Sequence, residues 1–409
     1  MTSQIFSISL VYSNNQPRKG VSTMPMPKEN DQVTGNKGTY IIGKFISKGP
    51  TAVSHVATDS TGRKMFLKAY LSPKSSSGMY KAYLDYEVEL NRRLENDHDL
   101  KQQSVYAEDV FSAPLVSNGR KNPFPMLFQV FPFVSGNINL SDLIEDGFDG
   151  RPLTWDERKM AANIFTFAMS RLHRVKIVHG DLKPENVQVT RVTTTDGSLL
   201  LKPLLVDMDG SVLADRPAPW AEIDERTGEK YSGYVGTAGY FSPEHLRGKV
   251  PVPASDVFTA SIILCQLLAG VHPFSSSLED GGDGYPKAAV AGRHDFLRQK
   301  IPFLGEIPED RRVVLENLLK AAWSSDPGKR PTMNELHEEV VRLRKAMPSP
   351  PKCPRCRHFP CICPKPPPPP PKCPRCGHSP CVCPKPPPPP PRVRDADIPH
   401  AFVPSQRGG

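Results

Sequence analysis

Long apolar runs are missing from this 409-residue chain. No stretch approaches the ~20 apolar residues of a membrane span. The apolar patch Ile5–Tyr12 is short, broken by serine and without a basic flank, which argues against a secretory signal. The expectation is a soluble cytoplasmic protein with no membrane partner. Cysteine is nearly absent from the body: of nine, only Cys265 precedes Cys353. No disulfide framework can therefore staple the main domain, and Cys265, set in an apolar helical pattern, reads as a core thiol. Acidic residues are almost lacking beyond residue 347, where ten Lys/Arg face two Asp and leave +8 of the chain's +9. The rest is close to neutral, so the basic balance belongs to the tail and does not make a case for a nucleic-acid partner. From Pro348 to Pro391 apolar periodicity is missing too, and that segment cannot build a core. One body of about 310 residues remains, large enough to bury a substantial interior.

What the body does contain is one loop dense in chemistry. His179-Gly180-Asp181-Leu182-Lys183-Pro184-Glu185-Asn186 sets an acid, a lysine and a carboxamide at offsets of 0, +2 and +5. Phosphoryl transfer from a nucleotide needs such a set: a carboxylate to orient a hydroxyl and accept its proton, a cation near the transferred phosphate, and an oxygen ligand for a divalent ion. A polar turn accounts for the residue types. It does not account for their order or for the apolar lead-in Ile177-Val178.

The string resembles the catalytic loop of eukaryotic-type serine/threonine protein kinases, usually HRDLKxxN. The resemblance implies an α+β, two-lobed fold over residues 39–346, with a small β-rich N-lobe and a mainly helical C-lobe. It also implies ATP and Mg²⁺ as cofactors and protein substrates bearing Ser/Thr hydroxyls. Asp181 takes the place of the base, Lys183 that of the γ-phosphate cation, and Asn186 that of a magnesium ligand. Gly180 stands where an arginine usually receives an activation-loop phosphate, so no phosphate latch of that kind is expected.

Other landmarks follow in family order. Tyr40–Ala57 reads as strand, turn and strand, where kinases cover the phosphates with a Gly-rich loop; Ser47, Gly49 and Ala52 occupy the three glycine places. Lys68, in Met65-Phe66-Leu67-Lys68, matches the lysine that holds the α- and β-phosphates. Glu87 is its expected helix partner, with Glu89 as the alternative. Phe66 replaces the small residue that normally faces adenine, so a phenyl group there is expected to crowd a nucleotide. Met126–Val134 is an apolar run suited to a buried strand leading to the hinge. Thr154-Trp155-Asp156-Glu157 has capping-box spacing, and Met160, Ile164, Phe167, Ala168 and Leu172 form a helical stripe. Asp207, at the end of an apolar strand in Val206-Asp207-Met208-Asp209-Gly210, matches the second magnesium ligand; a slipped reading uses Asp209. Gly236–Glu244 resembles the substrate-positioning segment, Thr237 within it favouring Ser/Thr acceptors. Asp256 opens an apolar helix, and Arg330 of Asp326–Thr332 is expected to pair with Glu244.

The chain then divides into an arm (1–38) read as disordered, the kinase-like domain, Cys-rich and polyproline repeats (347–391), and a disordered end (392–409). Residues 352–371 and 372–391 are tandem copies identical at 17 of 20 positions. Each carries four cysteines within eleven residues: Cys353, Cys356, Cys361 and Cys363, then Cys373, Cys376, Cys381 and Cys383. Such spacing suits two tetrahedral Zn²⁺ sites, with His358 and His378 as further candidates; redox sensing or another soft metal are the alternatives. The ten steps from Cys363 to Cys373 span about 31 Å as polyproline II, which keeps the sites separate. The proline runs are docking tracts for a polyproline-binding partner or plain rods. At the level of the whole chain, two rivals to the enzyme stand: a pseudokinase scaffold, and a kinase-shaped platform serving the tail.

Overall fold

Side chains pointing alternately to the two faces of each strand build the small lobe. Along β4 (Lys64–Tyr70), Met65, Leu67 and Ala69 point into one core while Phe66 and Lys68 face the other way. The same alternation in β2 (Thr39–Lys48), β3 (Ala52–Thr58), β5 (Asp109–Ser117) and β6 (Arg120–Pro132) fills the interior with Tyr40, Ile42, Val53, Phe111 and Phe128. The computed structural model describes residues 26–49, 52–71, 80–134, 137–148, 150–193, 199–219, 221–223, 230–231, 239–278, 284–295, 307 and 309–344. The tail repeats with all eight of their cysteines, residues 392–409, and Thr237 lie outside the described residues.

One expectation is corrected here. The arm read as disordered through residue 38 is structured from residue 26, and Gln32–Thr34 form β1. This strand pairs with β2 and, through Gln32, with Val116 of β5, closing the sheet into a barrel of order β1-β2-β3-β4-β6-β5. The buried carboxylate of Asp109 holds the turn that follows, accepting from Asn36 Nδ2 at 3.1 Å, Lys37 N at 2.9 Å and the Tyr40 hydroxyl at 3.0 Å. A strand of three residues that buries only Val33 leaves no periodicity to read.

Helix α1 (Tyr80–Asn96) turns Tyr83, Tyr86, Glu87, Leu90 and Leu94 inward. The short α2 (Leu100–Gln103) leads to β5; β7 (Ile138–Asn139) and α3 (Leu140–Asp146) follow the hinge. The large lobe is built around α4 (Trp155–Arg174) and α6 (Pro253–Ala269). Thr154 and Glu157 form the capping box at the start of α4. The core stripe of α4 is wider than the sequence suggests: Phe165 and Met169 are fully buried, whereas Ile164 and Phe167 are only partly so. The reason is that α4 is packed by α6 and also by α10 (Met333–Arg344), whose His337 ring lies 5.4 Å from that of Phe167.

Between α4 and α6 run β8 (Ile177–Val178), β9 (Val187–Thr193), β10 (Leu199–Leu205), β11 (Val212–Leu213), the small hairpin β12 (Glu222–Ile223) and β13 (Lys230–Tyr231), and α5 (Pro243–Leu246). Beyond α6 come α7 (Ser275–Leu278), α8 (Gly284–Val290) and α9 (Glu309–Ala322). Cys265 is fully buried in α6 and burial pushes its thiol pKa well up, as fits a core residue. Among the described residues no helix is long and apolar enough to cross a membrane.

Candidate active site

The loop 179–186 is held from beneath by one carboxylate. Asp256, fully buried at the start of α6, accepts from His179 N at 2.6 Å and Gly180 N at 3.1 Å, and lies 3.1 Å from His173 Nε2. Burial alone would push its pKa up, yet the His173 ring and the backbone amides hold it below the usual carboxylate range. This anchoring role was not read from the sequence. The available signal was an acid at the first turn of an otherwise apolar helix. Gly180 adopts φ 80°, a left-handed conformation in which a β-carbon would cost about 1–2 kcal/mol.

Above that anchor the three polar residues converge. Asn186 Nδ2 donates to the Asp181 backbone carbonyl at 2.7 Å and lies 3.3 Å from its Oδ2, and Lys183 Nζ lies 3.6 Å from the same Oδ2. A single 3₁₀ turn, Pro184–Asn186, folds the carboxamide back onto the acid. Proline at its first position favours that turn.

The small lobe delivers Lys68, whose ammonium group donates to Asp207 Oδ1. Asp207 itself sits at φ 60° and ψ 50°, the left-handed region that aspartate tolerates better than most residues. Its neighbour Met208 is buried in the large-lobe core, so the Met208 side chain packs inward while Asp207 faces the cleft. The backbone bond from Val206 N to Asn186 O, at 2.9 Å, fastens this strand end to the catalytic loop. On α1, Glu87 is buried and its Oε2 accepts from Gln129 Nε2 at 2.8 Å. Glu89 points outward and pairs with Arg92 and Arg93 at 2.7 and 2.8 Å. Gln129 also accepts from the Tyr70 hydroxyl at 2.8 Å. Its signal was visible: it is the single carboxamide in the apolar run Met126–Val134.

The three places expected for the phosphate-covering loop lie at the facing ends of β2 and β3. Ser47 is exposed, Gly49 N donates to Ala52 O at 2.8 Å, and Ala52 is buried in a cluster with Tyr70, Leu127 and Phe131. A β-carbon on Gly49 would meet Ala52 O at 3.7 Å, an ordinary contact, so the hairpin does not itself demand glycine there. Phe66 packs against Phe131, its register partner on β6, with ring centroids 6.0 Å apart. The expected phenyl group therefore shares the face that carries Lys68 two residues on.

The pair expected between Glu244 and Arg330 forms, bidentate and buried, at 2.6 and 2.8 Å. Ser255 adds a hydroxyl donor to Glu244 at 2.6 Å.

The structure thus brings together Asp181, Lys183 and Asn186, and beside them Asp207 with Lys68. The donor set suits a hard divalent ion: the Asp207 carboxylate, and an Asn186 carboxamide whose nitrogen is turned toward Asp181, which leaves its oxygen on the other side. A fold of this shape with this constellation holds the parts that phosphoryl transfer needs. Residues 40–341 match the family model described as "Protein kinase domain". The chain belongs to the protein kinase family. Among curated proteins it is 30% identical over 263 residues to "Serine/threonine-protein kinases PknA" of Corynebacterium glutamicum, covering 61% of this chain and 48% of that one. It is 30% identical over 182 residues to "Serine/threonine-protein kinase ksg1" of Schizosaccharomyces pombe (43% and 27%), and 25% identical over 302 residues to "Probable serine/threonine-protein kinase PkwA" of Thermomonospora curvata (74% and 34%). The chain spans about half the length of these relatives or less.

Proposed function

We propose that this chain transfers the γ-phosphoryl group of ATP to Ser/Thr hydroxyls of protein substrates. The observation that carries the reading is the convergence of Asp181, Lys183, Asn186, Asp207 and Lys68 on one cleft. Names of the serine/threonine kinases it resembles support the acceptor class. Asp181 orients the acceptor hydroxyl and takes its proton. Lys183, close to Asp181, neutralises charge on the phosphoryl oxygens as they move. Lys68 holds the non-transferred phosphates. Asn186 and Asp207 would hold magnesium, which when bound screens the phosphate charge. The test is transfer of radiolabelled γ-phosphate to myelin basic protein with and without Mg²⁺. Transfer to Ser/Thr that vanishes with chelator is the expected result. Nucleotide binding without transfer would favour the pseudokinase reading, and no binding would point to the Phe66 ring.

The tail carries the second part of the proposal. Its two four-cysteine sets bind one Zn²⁺ each as thiolates, and the proline runs space these sites or dock a polyproline-binding partner. The support is the repeat itself, which preserves every cysteine while three other positions change. Metal analysis of the purified full chain should give two zinc per molecule, falling to one with Cys373→Ser and Cys376→Ser together. A wild-type protein free of zinc overturns the assignment. The working place of the protein is the cytoplasm, where reduced thiols remain available for metal.

A further inference from the structure

Gly180 offers no side chain to receive a phosphate, yet α1 is fastened to the large lobe by contacts of another kind. The Tyr86 hydroxyl, next to Glu87, is fully buried and accepts a hydrogen bond from Leu213 N at 2.5 Å. The Arg216 guanidinium lies 5.7 Å from the centre of the same ring. Leu213 belongs to β11 and pairs in register with Ile177 of β8, the strand that runs directly into His179 and Asp181. Ala214 N extends that pairing to Lys176 O at 2.8 Å. About two turns further along α1, Arg93 Nη1 donates to Val175 O at 3.2 Å and to Asp215 Oδ1 at 2.9 Å. The helix that presents Glu87 is thus tied to β11, to Asp215 just beyond it, and to Val175 just ahead of β8, the strand that leads into the catalytic loop.

We propose that Tyr86, seconded by Arg93, is the positioning residue that holds α1 in register with the catalytic loop without an activation-segment phosphate. Tyr86 carries the larger share. Its bond is buried, whereas the Arg93–Asp215 pair is half open to water on the aspartate side, and such pairs contribute little. The chain of contacts is short: Glu87 and Tyr86 are neighbours, Leu213 follows Asp207 by six residues, and Ile177 precedes Asp181 by four. Loosening Tyr86 lets α1 and β11 drift apart, and with them the two sides of the Lys68–Asp207 contact.

This inference rests on the kinase reading above, so its test pairs a kinetic readout with one that needs no activity. The full chain is compared with Tyr86→Phe by amide hydrogen exchange over residues 80–96 and 207–219. In parallel, kcat and KM are measured with myelin basic protein before and after phosphatase treatment. Expected are faster exchange in both segments for Tyr86→Phe, a kcat lowered about three- to tenfold for one lost buried hydrogen bond, and KM for ATP within about twofold. Wild-type activity should survive dephosphorylation. Unchanged exchange and kcat in Tyr86→Phe, or wild-type activity lost on phosphatase treatment, overturns the proposal. If the wild type transfers no phosphate, the function reading fails by itself, and exchange still decides the latch. Arg93→Gln supplies a second variant, expected to shift the same segments in the same direction by less; no shift there and in Tyr86→Phe overturns the latch.

Discussion

Asp181→Asn is expected to lower kcat for phosphoryl transfer by about 10²–10⁴-fold, the range for losing a positioned general base. Its KM for ATP should stay within about twofold, because the contact between Lys68 and Asp207 does not involve the Asp181 carboxylate. The fold should persist. Asp181 is partly exposed, its backbone carbonyl keeps the 2.7 Å bond from Asn186, and the loop remains anchored on Asp256. Single-turnover transfer and thermal melting of the same preparations check both halves. Equal transfer by variant and wild type would assign the proton to another group.

Glu244→Gln should be the most damaging change for stability. The substitution leaves the Arg330 guanidinium, whose side chain is fully buried, facing a neutral amide. Breaking one side of a buried pair costs about 3–5 kcal/mol, and in a domain of this size that lowers Tm by roughly 10 °C. Replacing both partners with methionine should recover a large part of the loss, since the cost lies in the uncompensated charge. Acid titration gives an independent check. Burial pulls the Glu244 pKa up, but the bidentate Arg330 and the Ser255 hydroxyl outweigh it and hold the group at about 2 against an ordinary 4.5. A carboxylate depressed in the folded state contributes stability above its unfolded pKa and loses it as pH falls through the folded one. The contribution is therefore complete above about pH 4.5 and fades toward pH 2, and wild type should lose stability over that window more steeply than Glu244→Gln. Parallel melting curves for the two proteins across that window would expose the idea as wrong.

Local order carried a great deal of this. Asp181, Lys183 and Asn186 lie within six residues of each other, so their grouping depends on one turn and is visible in the chain. The capping box of α4 is equally local. Glu244 and Arg330 are 86 residues apart, and only the resemblance joined them before the geometry did. The partners of other residues stayed hidden for the same reason. Gln129 touches Glu87 across 42 residues, Asp256 reaches back 77 to His179, and Tyr86 meets Leu213 over 127. The strand Gln32–Thr34 was illegible for a different reason. It is short, surrounded by polar residues and kept in place by a carboxylate 73 positions from Asn36.

The sequence by itself determined the polar set of the catalytic loop, which follows from residue order, and through the resemblance carried by that order it pointed to the family and its two lobes. Only the tertiary structure decided which glutamate of α1 faces inward, which carboxylate carries the loop, and how α1 is tied to β11. Each of these is a contact between segments far apart in the chain. Side-chain direction at such contacts depends on packing that no local pattern encodes.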